Sequence, residues 1–182
     1  MKITKIISKD NIEKKYVIVV TALILLALIS AISTGYINFL EVDIKVIFLP
    51  AFVIGTLITH ELIHISLFEI FSKGKADVEV LVDRALGAIV VYQKNKNVFY
   101  NKLQTIIILL APVIIITLIS LIRIEINPEW SMVLKVNMLL NILGSLTDIV
   151  LSLKLISCKG NIRINYDFEE DKGILVCVHE RS

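Results

Sequence analysis

Long apolar stretches alternate with short charged ones along most of the chain. Residues 16–40, for example, contain no charged side chain at all. A helix needs about 20 mainly apolar residues to cross the hydrocarbon core of a bilayer. The pattern therefore predicts an all-α membrane protein with about four transmembrane helices, at residues 16–36, 44–71, 103–123 and 132–155.

The polar connection between the second and third predicted spans has a different pattern. Residues 78–82 are rich in valine, and residues 88–92 are apolar and β-branched. Such segments favour strands, and the five residues between them suit a turn. We therefore expect a small β-hairpin here. The polar tail at residues 156–182 alternates in two places and could form two more short strands, whereas residues 1–15 are expected to form an amphipathic or disordered arm.

Composition supports one membrane domain spanning residues 1–182. The chain is 56% hydrophobic, with a mean hydropathy of +0.81, which is too apolar for an ordinary soluble domain. Its net charge of +2 gives no indication of nucleic-acid binding. Lysine and arginine predominate in the N-terminal arm and in the hairpin connection, and such loops stay in the cytoplasm. We therefore expect a multi-pass protein of the cell membrane, embedded in the lipid bilayer, with both termini cytoplasmic.

The second predicted span contains the sequence His60-Glu61-Leu62-Ile63-His64. Residues four apart on a helix share a face, so two imidazoles one turn apart could hold a zinc ion. Glu61 stands beside them, where it could take a proton from water. The motif also arises by chance on water-facing helices. Within a membrane, however, a charged side chain costs about 2.5–3.5 kcal/mol, so a group of three favours a bound metal.

Catalytic zinc takes three protein ligands and keeps one position open. The fourth predicted span offers Asp148, which lies at the same expected depth as His64. Asn141 lies two turns before Asp148 on the same face, and it suits either a substrate contact or a plain interhelical hydrogen bond. Gly144 and Ser145 lie between them, and small residues there would allow the helices to approach closely. Gly55, on the second span, is expected to be a packing residue.

These motifs resemble those of a zincin peptidase family of bacterial membrane proteins, and more distantly those of site-2 proteases. The matching segments are H-E-L-I-H at 60–64, L-A-P at 110–112 and N-I-L-G-S-L-T-D at 141–148. The last segment departs from site-2 proteases, which usually have proline after the asparagine and glycine after the aspartate.

The resemblance implies an intramembrane zinc-dependent metallopeptidase. His60, His64 and Asp148 would hold Zn²⁺, Glu61 would be the general base, and Asn141 would contact substrate. The substrate would be a membrane-associated or membrane-embedded protein or peptide, cut near the cytoplasmic face. A non-catalytic metal-binding protein of the immunity or sensor type is the alternative, although a closed metal site would need a fourth protein ligand. A metal transporter is disfavoured because four spans offer no second half-site.

Overall fold

The structure is a computed structural model that describes residues 3–8, 47–83, 88–95, 97–158, 162–169 and 173–180, together with four single positions. Those four are Ile18, Ala22, Leu26 and Ile29, which are helical and exposed. Their spacing places them on one apolar helix face. The rest of the span predicted at residues 16–36 lies outside the described residues.

Helices α1 (Leu49–Ser72) and α2 (Lys102–Ile126) are long and apolar enough to cross a membrane. They correspond to the spans predicted at residues 44–71 and 103–123. Pro50 lies in the first turn of α1, where its missing N–H is tolerated. Helix α2 continues through the buried Pro112 without a break.

The fourth predicted span is not one continuous helix. A 3₁₀ turn (Pro128–Trp130) leads into α3 (Ser131–Gly144), and α4 (Leu146–Ser157) follows at an angle of 51°. The two helices together cover the span predicted at residues 132–155, with a bend between them. Ser145 explains the break, because its Oγ and its backbone N–H both donate to the Asn141 carbonyl, at 2.7 and 3.0 Å. Such back-bonding bends helices, and the preceding Gly144 is a weak helix former. If α3 and α4 count as one bent span, the described residues contain three candidate crossings.

The outer faces of these helices are apolar. Ile70 on α1 is 65% exposed and Leu103 on α2 is 66% exposed, and many other large apolar side chains of α1 and α2 are exposed as well. A soluble monomer rarely exposes so much continuous apolar surface. The surface is that expected of a membrane protein.

Contacts divide the chain into two compact units. The first comprises residues 1–13, 61–111 and 147–182. It contains an antiparallel sheet with the strand order β1-β6-β5-β4 and a separate hairpin, β2-β3. Their bounds are β1 Ile3–Ser8, β2 Val78–Asp83, β3 Ala88–Gln93, β4 Tyr100–Asn101, β5 Ile162–Glu169 and β6 Gly173–Glu180.

The predicted class was all-α with one small hairpin, and the structure adds a four-stranded sheet to it. The hairpin is confirmed, with Val78 paired to Gln93 and Asp83 to Ala88, and so are the two strands of the tail. The expectation of an amphipathic or disordered N-terminal arm was wrong for residues 3–8. These residues pair with β6, whose other edge is paired with β5.

The first unit has a buried centre around Tyr100, which is fully buried and packs edge-on against Phe68. The Tyr100 hydroxyl lies 2.6 Å from Gln93 Oε1 and 3.3 Å from the Phe68 carbonyl. Gln93 in turn donates to the Asn95 carbonyl at 3.0 Å. This network fixes the hairpin to α1 and to β4, because buried polar groups require partners.

The second unit comprises residues 14–60 and 112–146. Its described part contains the first half of α1, the second half of α2, and α3. Trp130 packs against Phe48 and Phe52, with ring centroids 5.8 and 5.6 Å apart. Asn137 on α3 donates to Thr56 Oγ1 on α1 at 2.7 Å.

Candidate metal centre

Helix α1 carries His60 and His64 one turn apart. Both imidazoles are buried, with 8% and 7% of their surface exposed. Glu61 lies between them in sequence and is half-buried. The predicted i, i+4 arrangement is confirmed by the unbroken helix, since a regular turn places the two imidazoles on one side.

Asp148 lies in the first turn of α4. Its Oδ2 is 3.6 Å from Nε2 of His64. The bend at Ser145 lies three residues before Asp148 in the chain. The carboxylate is half-buried, and a helix N-terminus stabilises a negative charge at this position.

His60, His64 and Asp148 form a group whose ligand atoms all lie within 4.8 Å of one another. Two ligands of a tetrahedral zinc with bonds of about 2.0–2.1 Å are separated by about 3.4 Å, close to the 3.6 Å between His64 and Asp148. Two imidazoles and a carboxylate are donors that zinc accepts, and their burial favours a bound cation. The three residues therefore supply donors that fit a zinc ion.

Asn141 contacts a candidate ligand directly. Its Oδ1 lies 3.3 Å from Nδ1 of His60, and the asparagine is buried. If Nδ1–H of His60 donates to this oxygen, Nε2 is left with its lone pair for a metal. Metal-binding histidines usually hold their second nitrogen in this way. Of the two roles expected for Asn141, the geometry supports a hydrogen bond between helices, with a candidate ligand as its partner.

Thr56 is a polar position on α1 that the sequence analysis did not single out. It lies one turn before His60 and accepts the Asn137 hydrogen bond, and a polar residue at that spacing was the available signal. Ser145 was expected to bring two helices together, but it breaks one.

Gly144 is exposed, and a Cβ atom built there would meet nothing within 4 Å. The expected close helix approach at Gly144 was therefore wrong. Gly55 also has no neighbour within 4 Å of such an atom, so it is not the packing residue that was expected.

Two buried histidines on one helix turn, an acid between them and a carboxylate beside them form a site of the metallopeptidase type. The family comparison agrees with this class. Residues 53–162 match the model of a family described as "putative zincin peptidase", and the chain belongs to that family. The matched region contains all three candidate ligands, together with Glu61 and Asn141, and membership implies zinc as the metal. No curated protein and no solved structure matches the chain significantly.

Proposed function

We propose that this protein is an intramembrane zinc-dependent metallopeptidase that hydrolyses peptide bonds of membrane-associated or membrane-embedded substrates near the cytoplasmic face. The observation that carries the proposal is the group of His60, His64 and Asp148 on apolar helices, with both histidines buried and Asp148 half-buried. Three protein ligands leave one of the four positions of zinc open for chemistry, whereas a structural site is closed by a fourth.

The chain's own residues supply the proton transfers. A bound zinc ion would lower the pKa of water and polarise a carbonyl oxygen. Glu61, next to His60 on the helix, takes the proton from the attacking water and passes it to the nitrogen of the leaving amine. Asn141 holds His60 in the tautomer that presents Nε2.

Cytoplasmic termini are supported by the sheet of the first unit. Strand β1 precedes all the helices and β6 follows them, yet the two strands are paired. Paired strands that lie outside a bilayer are on the same side of it, so the β1–β6 pairing supports an even number of crossings between them. Three candidate crossings lie in the described residues, and the span predicted at residues 16–36 would bring the number to four. The basic residues of the arm favour the cytoplasm.

The substrate would be bound as an extended segment, because a helix hides its carbonyls. Strand β2 is an edge of the two-stranded hairpin sheet, and an edge strand can bind an extended peptide by adding it as a further strand. The hairpin follows α1, the helix that carries the candidate ligands, at a distance of five residues.

The test compares Glu61→Gln with Glu69→Gln, the same change two turns later on the same helix. Both proteins are purified in detergent and loaded with zinc, and zinc is quantified by mass spectrometry. Cleavage of membrane peptides is followed by detecting new termini. Glu61→Gln should keep its zinc and lose cleavage by at least 100-fold, the usual size of general-base catalysis, while Glu69→Gln should resemble the wild type.

Full cleavage by Glu61→Gln would overturn the enzyme mechanism. A wild-type protein that holds zinc, cleaves no peptide and fails to bind a hydroxamate would indicate a non-catalytic metal protein of the immunity or sensor type.

A further inference from the structure

The second unit contains a cavity of about 460 Å³ between α1, α2 and α3. This volume falls within the range of about 300–1,000 Å³ that is typical of ligand pockets. The apolar lining includes Phe52, Ile116 and Leu134. The polar lining residues are Thr56, Thr59, Ser120, Arg123 and Asn137. No role for this cavity follows from the metal site itself.

Asn137 gives the cavity a specific polar requirement. Its side chain is buried, with 3% of its surface exposed, and its Nδ2 donates to Thr56 at 2.7 Å. Its Oδ1 has no hydrogen-bond partner within the described part of the chain. If the amide is turned over, the nitrogen becomes the unpaired atom instead. In either orientation one end of a buried amide needs a partner, and leaving it without one is costly.

The occupant of the cavity must offer a hydrogen bond to the side-chain amide of Asn137. An acyl chain fills an apolar cavity but offers neither a donor nor an acceptor to Asn137. A peptide backbone offers both, and an apolar peptide side chain matches the walls. A peptide is therefore the occupant that satisfies both properties of the cavity.

The position of the cavity connects it to the reaction. Asn137 lies one turn before Asn141 on α3, and Thr56 lies one turn before His60 on α1. The two hydrogen bonds, Asn137 to Thr56 and Asn141 to His60, thus join the same pair of helices at successive turns. A turn rises about 5.4 Å, which is less than two residues of extended chain. A peptide held at Asn137 reaches His60 with its next residues.

We propose that this cavity is a specificity subsite that binds a bulky apolar side chain of the peptide substrate, with Asn137 bonded to the peptide backbone. The inference rests on the proposed peptidase function. Gly55 lines the cavity, and a Cβ atom there would meet nothing within 4 Å. A larger side chain at this position would therefore extend into the cavity, and its Cβ atom would displace no neighbouring atom.

Binding is tested separately from turnover. Trp130 is the only tryptophan of the chain, and it packs on Phe52 of the cavity wall, so its fluorescence reports on the cavity. Tryptophan-free peptides that differ at one position (Ala, Val, Leu or Phe) are titrated into the Glu61→Gln protein. We expect saturable emission changes. The peptide concentration at half-saturation should be at least ~10-fold lower for Leu than for Ala, because even one methylene in an apolar pocket changes binding by about 10-fold or more.

Three further variants, each made in the Glu61→Gln protein, test the subsite more specifically. Gly55→Leu should abolish the preference for Leu or reverse it towards Ala. Asn137→Leu should weaken all the peptides while keeping their order. The control is Ile54→Phe, which adds bulk on the neighbouring residue, 59% exposed and outside the cavity lining. It should leave the titrations unchanged.

The remaining outcomes separate the two proposals. If wild-type protein cleaves peptides and Gly55→Leu, made with Glu61 intact, shows the same side-chain preference in kcat/KM, the subsite is wrong and the enzyme stands. If the peptides bind as expected and no wild-type preparation cleaves them, the peptidase is wrong and the binding site stands. Quenching of Trp130 by bromine-labelled detergent that saturating peptide does not relieve would assign the cavity to lipid and overturn the subsite.

Discussion

Nδ1 of His60 and Oδ1 of Asn141 lie 3.3 Å apart, between α1 and α3. Both side chains are buried. The contact links a candidate metal ligand to a helix that supplies no ligand itself. It therefore makes the orientation of one imidazole depend on the register of α1 against α3.

This contact predicts that Asn141→Ala lowers zinc affinity without removing a ligand. His60 would lose the group that fixes its tautomer and ring orientation, and losses of this kind typically cost about 10–100-fold in affinity. The measurement is a competition between the purified protein and a chromophoric zinc chelator. Asn137→Ala is the matched control, since it makes the same change one turn earlier, where the partner is Thr56. Unchanged zinc affinity in Asn141→Ala would favour the alternative role for Asn141, contact with substrate.

Asp148→Asn should abolish the stabilisation of the protein by zinc. A ligand present at 100 times its Kd stabilises a folded protein by about 2.7 kcal/mol, so chelation should lower the Tm of the wild type measurably. The amide is a poorer zinc ligand than the carboxylate beside His64, and the Tm of Asp148→Asn should therefore respond little to chelation. The experiment is a thermal scan in detergent with and without chelator. An equal Tm shift in wild type and variant would exclude Asp148 as a ligand.

The features predicted from the sequence were those set by short-range spacing. His60 and His64 share a face because they are four residues apart on any regular helix. The hairpin was predictable because its two valine-rich and apolar segments flank a short turn. Neither feature depends on the rest of the fold.

The features that were missed depend on distant parts of the chain. Residues 3–8 form a strand because β6 offers them backbone partners, and no local pattern encodes that pairing. Equal depth along two straight helices predicts Asp148 at the level of His64, and the two side chains do lie 3.6 Å apart, but the helix that carries Asp148 is bent at Ser145. That bend arises from one side-chain hydrogen bond, which competes with the helix in a way that periodicity does not show.

Tyr100→Phe should destabilise the first unit. The change removes the hydroxyl that lies 2.6 Å from Gln93 Oε1, and Gln93 is fully buried. A buried acceptor left without its donor costs about 1–3 kcal/mol. Thermal or denaturant unfolding in detergent measures this loss. Adding Gln93→Leu should recover part of it, because removing both partners is less costly than removing one. A double variant less stable than Tyr100→Phe would contradict this account of the network.

Glu79 and Tyr92 face each other across the hairpin, and this pair makes the stability of the hairpin depend on pH. The hydrogen bond from Tyr92 to Glu79 raises the pKa of Tyr92 to about 12 and, with Lys94, holds the pKa of Glu79 below its ordinary value. The folded hairpin thus keeps the Tyr92 proton where the unfolded chain loses it. The stabilising contribution of Tyr92 is complete below pH 10 and disappears as the pH rises through about 12. For Glu79 the contribution is present above pH 4.5 and disappears as the pH falls through its lowered pKa.

Glu79→Gln should therefore return the pKa of Tyr92 towards 10, because the carboxylate is the largest cause of the shift. Carbon-13 NMR of ring-labelled tyrosine follows the titration, and Tyr92→Phe assigns the signal among the five tyrosines of the chain. Asp77→Asn is the matched control, since Asp77 is the smallest of the contributions to the same pKa. It should lower the pKa of Tyr92 far less than Glu79→Gln does. Equal effects of the two variants would show that general negative charge, and not the hydrogen bond across the hairpin, holds the Tyr92 proton.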